Sequence, residues 1–222
     1  MANGFSQVHV LHFDESFASI VMLRSIRITL AIAAFHDYEI WQMDVKTAFL
    51  NGYLDEDLYM VQPEGFTDPK NPKKVCKLKR SIYRLKQASR SWNHRFDTVI
   101  KENGFTRSVE EPCLYIKSSG SNIVFLVLYV DDILLIGNDI PLLSSVKVWL
   151  QNHFQMKDLG EAQRILGIRI SRDRSRRILS LSQESYIDKV LERFGMTNSK
   201  KGFLPMATGV HLSKAQAPQT SE

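Results

Sequence analysis

The chain has 222 residues, of which 44% are hydrophobic and 24% charged, with a formal net charge of +5. That length allows one large domain or one and a half small ones, and the composition is that of a globular protein rather than a disordered or fibrous one. Cys76 and Cys113 lie far apart, outside any CxxC or Cys/His spacing, so they give neither a disulfide framework nor a zinc site and suit a reducing, intracellular setting. The longest apolar helical stretch carries Arg24 and Arg27 in its middle, against a membrane span. The start, Met1-Ala-Asn-Gly-Phe-Ser, lacks the pattern of a signal peptide.

In chain order, residues 1–15 are polar and irregular. Helical periodicity runs from Phe17 to Phe35, with Ile20, Leu23, Ile26/Arg27, Leu30 and Ala34 on one face. A strand is expected over Tyr38–Val45, ending at Asp44. Gly52, Pro63, Gly65, Pro69 and Pro72 mark a long irregular stretch, and Val75–Leu78 is a short strand. Ser89–Asn103 reads as an amphipathic helix stopped by Gly104. Strands follow at Cys113–Lys117, Asn122–Val130 and Ile133–Gly137, the last two joined through Asp131 and Asp132. Pro141 starts a helix to Phe154. Arg164–Ser171 and Arg177–Ser182 form a hairpin, and Ser182 caps a helix to Phe194 ended by Gly195. Beyond Met196 the composition turns to Thr, Ser, Lys, Pro, Ala and Gln, and disorder is expected from about residue 207. This order predicts an α+β domain with a mostly antiparallel sheet and helices on one face.

Two features could carry chemistry. The adjacent Asp131 and Asp132 interrupt an apolar run, Ile123–Val130 before them and Ile133–Ile136 after. A buried carboxylate costs several kcal/mol of lost hydration, and two of them repel by about 4 kcal/mol at ~4 Å with an effective dielectric near 20. The pair is therefore either an exposed turn or a cation site. Asp44, alone, reads as an ordinary strand-end aspartate. If its strand neighbours the hairpin, three carboxylates converge in a manner that suits Mg²⁺ and in-line phosphoryl transfer. The second feature is a block from Lys70 to Arg90 with nine Lys/Arg and no Asp/Glu, which is either a polyanion-binding surface or a solvated basic face.

The chain resembles the reverse transcriptase of copia-type long-terminal-repeat retrotransposons. The resemblance is carried, in order, by Gln42-Met-Asp-Val-Lys-Thr-Ala-Phe-Leu-Asn-Gly52, Tyr59-Met-Val-Gln-Pro-Glu-Gly-Phe66, Val75-Cys-Lys-Leu-Lys79, Leu85-Lys-Gln-Ala88, Pro112-Cys-Leu-Tyr115, Leu128-Tyr-Val-Asp-Asp132, Met156-Lys-Asp-Leu-Gly160, Leu166-Gly-Ile168 and Leu181-Ser-Gln183. It implies a right-hand polymerase palm with partial fingers over residues 1–182, the start of a thumb-like region over 183–206 and a tail over 207–222. It implies two Mg²⁺ ions, or Mn²⁺, held by Asp44, Asp131 and Asp132, transferring dNMP from a dNTP to the 3′-OH of a primer on an RNA or DNA template. Phe49 would be the steric gate under the incoming sugar, Gln87 would touch nucleotide and template, and Tyr129 would lie beside the primer terminus. Leu166 and Gly167 would form the primer-grip turn, and Lys157 would protonate the leaving pyrophosphate. Lys77, Lys79, Arg80, Lys86 and Arg90 would meet the nucleic-acid backbone. The implied setting is a cytoplasmic particle, with the product bound for the nucleus.

The sequence departs from the family pattern in three places. Arg84 stands where Tyr-Gly-Leu-Lys-Gln has glycine, Ser89 stands where Ala-Pro-Arg has proline, and Gly4-Phe5-Ser6-Gln7 is not preceded by the family's basic fingers hairpin. These departures leave two expectations, an RNA-directed DNA polymerase domain or an inactive retroelement relict that at most binds nucleic acid.

Overall fold

The computed structural model describes residues 19–200 without a break, together with positions 4, 7–9, 13, 16–17, 202, 209, 211 and 213. The expected disordered tail lies, apart from 209, 211 and 213, outside the described residues. The chain divides into two compact units, Met1–Ser182 and Gln183–Glu222.

The first unit is α+β. Its main sheet has six strands in the order β4 (Thr106–Arg107), β5 (Leu114–Ser119), β6 (Asn122–Tyr129), β7 (Asp132–Gly137), β1 (Glu39–Val45) and β8 (Met156–Glu161), with every pairing antiparallel. A three-stranded sheet joins β9 (Arg164–Ile165), β10 (Ile168–Asp173) and β11 (Ile178–Ser182), and β2 (Tyr59–Val61) pairs with β3 (Val75–Lys77). The helices are α1 (Leu23–His36), α2 (Ala88–Glu102) and α3 (Ile140–His153).

Strand β7 occupies the middle of the sheet because it is apolar on both sides. Ile133 and Leu135 point to one face, Leu134 and Ile136 to the other, and all four are at most 1% exposed. Both faces of β7 are therefore covered. On one face Tyr115, Leu126, Leu135 and Trp41 lie in register. Phe96 of α2 meets Tyr115 at 5.8 Å, and the Lys147 ammonium of α3 sits 4.1 Å from the Trp41 ring centre. The opposite face carries Val127, Leu134, Ile136 and Ile40, all buried.

Helix α1 starts at Leu23, not Phe17. Ser19 and Ile20 instead give their backbone to the end of β6: Ile20 bridges to Tyr129, and the Ser19 carbonyl accepts the Val130 N–H. The start of α1 is fixed by Glu111, whose Oε2 accepts the Met22 N–H at 3.0 Å and the Ser25 hydroxyl at 2.9 Å, a carboxylate where the helix dipole favours one. The buried stripe is Ile26, Thr29, Leu30 and Ala33, so the predicted Leu23 and Ala34 do not lie at its centre. At the other end Arg172 of β10 donates to the carbonyls of Tyr38 and Ala33 and pairs with Asp37, tying the small sheet to the helix terminus.

The expected starts of α2 and α3 hold within one residue, and α3 gains a cap: Asp139 Oδ1 accepts the Leu142 N–H at 2.7 Å. The expected strand Arg164–Ser171 is broken at Leu166-Gly167, a two-residue turn between β9 and β10. In the second unit α4 (Glu184–Arg193) has Gln183 rather than Ser182 at its N-cap, because Ser182 is the last residue of β11. Gly195 follows with φ 65°. None of α4's residues is buried.

Candidate active site

Strand register brings the predicted acidic residues to one end of the main sheet. Asp44, at the penultimate position of β1, is the direct partner of Asp132, the first residue of β7. Tyr129 of β6 is also opposite Asp132, and Lys157 of β8 is opposite Asp44. Direct partners project to the same face, so Tyr129, Asp132, Asp44 and Lys157 form one row across four strands. Asp131 lies in the turn before Asp132, and its carbonyl accepts the Val45 N–H at 2.8 Å. The long sequence separation of Asp44 and Asp131 is closed by β1 inserting between β7 and β8.

Within this row the charged form of Asp132 is disfavoured. Asp132 is half-buried. Burial raises its pKa above the usual carboxylate value, the Gln42 amide opposes the rise, and the charges of Asp131 and Asp44 add to it. Gln42 Nε2 donates to Asp132 Oδ1 at 3.0 Å, from the same strand face two residues before Asp44. Among the described residues no three His, Cys, Asp or Glu side chains are grouped to hold a metal ion as they stand. The donor set is nonetheless the kind that hard cations take, carboxylate oxygens from adjoining strand ends. In chemical type, though not as a formed cluster, the three carboxylates are what a divalent cation would take.

Phe49 lies on a single 3₁₀ turn, Ala48–Asn51, just past β1. Its ring packs on Tyr83 with centroids 4.9 Å apart. Burial raises the Tyr83 pKa, the Asp131 charge adds to this, a hydrogen bond with the Phe49 backbone opposes it, and the Asp44 charge adds again. Tyr83 thus belongs beside the acidic row. Next to it Arg84 has φ 76°, in the left-handed region that favours glycine. A Cβ on Gly4 would come within 1.7 Å of the Arg84 carbonyl oxygen, so the backbone of this loop is closely packed.

Gln87 is 2% exposed, not a surface residue at a helix start. It accepts from Gln7 Nε2 at 3.1 Å and donates to Glu56 Oε2 at 3.3 Å. Leu166 has φ 52° and Gly167 φ 75°, the pair of left-handed residues that a type I′ hairpin needs. They lie in the small sheet rather than in the acidic row. The five predicted backbone-contact cations are all exposed, but not all unengaged. Lys77 pairs with Asp57 at 2.6 Å, and Arg80 donates to the Asn51 carbonyl and lies 3.9 Å from the Tyr53 ring centre. Arg90 lines a cleft of about 310 Å³ with Phe17, Tyr53, Asn93, His94 and Arg107, which contains none of the acidic row.

Sequence reading missed Gln42, Tyr83 and Trp92. Gln42 was accessible from the two-residue period of β1, and Tyr83 from its place in the Tyr-Arg-Leu-Lys-Gln stretch. Trp92 had no local signal.

An antiparallel sheet that places paired aspartates at a β-turn beside a third on the neighbouring strand defines a candidate nucleotidyl-transfer site. The reverse transcriptase (RNA-dependent DNA polymerase) family profile matches residues 1–208, and the chain belongs to this family, in the form found in copia-type retrotransposon Pol polyproteins. It is 47% identical over 223 residues to the retrovirus-related Pol polyprotein from transposon TNT 1-94 of Nicotiana tabacum, covering 100% of this chain and 17% of that protein. It is 39% identical over 213 residues to the Pol polyprotein from transposon RE1 of Arabidopsis thaliana, covering 96% and 14%. It is 33% identical over 180 residues to a putative transposon Ty5-1 protein of Saccharomyces cerevisiae, covering 81% and 58%. The chain therefore spans about a seventh to a sixth of the length of the plant polyproteins that it matches. No solved structure is a significant match. Among the described residues no helix is long and apolar enough to cross a membrane.

Proposed function

We propose that residues 1–182 form the palm with part of the fingers, and residues 183–206 the start of a thumb-like region, of an RNA-directed DNA polymerase. The observation that carries this reading is the register that sets Asp44 against Asp132 with Asp131 in the adjoining turn. The substrates are a dNTP and a primer on an RNA or DNA template. The primer 3′-hydroxyl gives up its proton to solvent, a bond forms from its oxygen to the α-phosphorus, and the bond to pyrophosphate breaks.

Asp44, Asp131 and Asp132 would hold two divalent cations, Mg²⁺ or Mn²⁺. Bound there, such cations supply positive charge to the triphosphate and to the oxygens that gain charge in the exchange. Gln42 fixes one Asp132 oxygen and leaves the other available. Phe49, held by Tyr83, closes the space under the sugar against a 2′-hydroxyl, and Tyr129 lies beside the primer terminus. Lys157 brings a proton donor to the same face for the departing pyrophosphate, and the Leu166-Gly167 turn supports the primer. Gln87 reaches nucleotide and template only by exchanging its bonds to Gln7 and Glu56. Lys77, Lys79, Arg80, Lys86 and Arg90 meet the nucleic-acid backbone, with Lys77 exchanging Asp57 for phosphate. Position and electrostatics supply most of the rate in such a reaction. Its setting is a cytoplasmic particle whose DNA product goes to the nucleus.

The test is Mg²⁺-dependent extension of a primer on an RNA template by the purified chain, beside Asp131→Asn. Extension by the first and not the second is expected; a folded chain that extends nothing contradicts the reading. A second reading, an inactive chain that only binds nucleic acid, draws support from Arg84, a long cation in a glycine-type conformation next to Tyr83. Retention of template–primer without extension would favour it.

A further inference from the structure

Val130, between Tyr129 and Asp131, has φ 55°. A β-branched residue avoids this region, and such a conformation persists only where its surroundings over-determine it. The surroundings here are three hydrogen bonds. The Val130 N–H donates to the Ser19 carbonyl at 2.7 Å, the Val130 carbonyl accepts the indole N–H of Trp92 at 2.7 Å, and the Asp131 carbonyl accepts the Val45 N–H at 2.8 Å.

Two of these bonds lead to α2. Trp92 is 0% exposed, and its ring packs against Phe96 and Phe154 with centroids 5.4 and 5.1 Å away, so the indole cannot swing clear. Ser19, also 0% exposed, is joined to α2 twice: its N–H donates to Ser89 Oγ and its hydroxyl to the Ser89 carbonyl, both at 3.0 Å. The peptide groups on both sides of the Val130 Cα are thus held by one helix, directly through Trp92 and indirectly through Ser19. Those two peptides set the direction in which Asp131 leaves the turn.

We propose that Trp92 is a positioning residue for the acidic row: its indole N–H holds the Val130–Asp131 peptide in the left-handed turn and thereby sets the affinity of Asp44, Asp131 and Asp132 for a divalent cation. This inference rests on the reading of those carboxylates as a cation site. Groups that orient metal-binding residues from behind are worth about 10–100-fold in affinity. A tryptophan that merely filled the core would not be coupled to the conformation of Val130.

The experiment is titration of the full chain with Mn²⁺, following free Mn²⁺ by electron paramagnetic resonance, with a thermal melt of each variant. The variants are Asp131→Asn, Trp92→Phe, Val130→Gly and the double variant Trp92→Phe/Val130→Gly. Asp131→Asn is expected to abolish the tight site and Trp92→Phe to weaken it about tenfold. Val130→Gly is expected to recover most of the loss in the Trp92→Phe background, because glycine adopts the turn without the clamp. Wild-type binding no tighter than that of Asp131→Asn overturns the cation-site reading and this inference with it. Binding lost in Asp131→Asn but unchanged in folded Trp92→Phe overturns the inference alone, as does a loss that Val130→Gly leaves unrecovered. If Trp92→Phe does not fold, Trp92→benzothienylalanine, which exchanges the indole N–H for sulfur at nearly constant shape, carries the same expectation and the same refutation.

Discussion

Asp44 and Asp132 are direct cross-strand partners on the same face of the β1–β7 pair. Like charges so placed destabilise a sheet by up to about 1 kcal/mol, and the Gln42 amide relieves only Asp132. On the other side of Asp44 its direct partner is Lys157 of β8, a cation beside the same pair.

Asp132→Asn should raise the stability of the metal-free chain at neutral pH, by up to about 1 kcal/mol. The pH dependence has a definite sign. The folded pKa of Asp132 is raised, by burial first and by Asp131 and Asp44 next. The native state thus holds this proton to a higher pH than the unfolded state does. Its contribution to stability falls as pH rises from the ordinary aspartate value of 3.8 through the raised folded value. Chemical unfolding of both proteins across that window should show the gap between them opening as pH increases.

Arg84→Gly should stabilise the chain by up to about 1 kcal/mol. Arg84 sits at φ 76°, where a side chain costs about 1–2 kcal/mol, partly offset by the greater freedom of glycine in the unfolded chain. Urea midpoints at unchanged slope measure this. A decrease in stability would mean that the arginine side chain makes contacts outweighing the strain.

Glu111→Ala should cost about 2 kcal/mol or more. Glu111 is 5% exposed and accepts from Met22 N–H, the Ser25 hydroxyl and Cys113 N–H. Removing it strands buried donors and takes a carboxylate from the start of α1. Hydrogen exchange in the first turn of α1 should accelerate along with the global loss.

Phe49→Ala should relax sugar selection in primer extension. With the ring gone from beside Tyr83, incorporation of NTP relative to dNTP should rise on the order of 10–100-fold. Competition between the two nucleotides at a single template position checks it.

The strands that build the site were legible where their sequences are apolar and alternate. Strands β1, β6 and β7 have Ile, Val and Leu on buried positions, and Asp131-Asp132 marks their turn. Strand β8 was not legible, because Met156-Lys-Asp-Leu-Gly-Glu161 is mostly exposed and owes its conformation to pairing with β1. Exposed β2 was missed for the same reason. The start of α1 was read too early because Phe17–Met22 has helical periodicity, while Ser19 and Ile20 spend their backbone groups on β6 and its turn. The aspartates stood out as charges in apolar sequence. Burial of Gln87 and the reach of Trp92 to Val130 depend on contacts between distant segments, which periodicity does not carry.

The central claim is that β1 and the β6–β7 turn supply one reaction centre. Its most direct test is the rate of Mg²⁺-dependent primer extension on an RNA template by the chain and by Asp44→Asn, the carboxylate furthest in sequence from the pair. Extension by the unaltered chain is expected, with a loss on the order of 10²–10³-fold or more in the folded variant. Equal rates in the two proteins would contradict it.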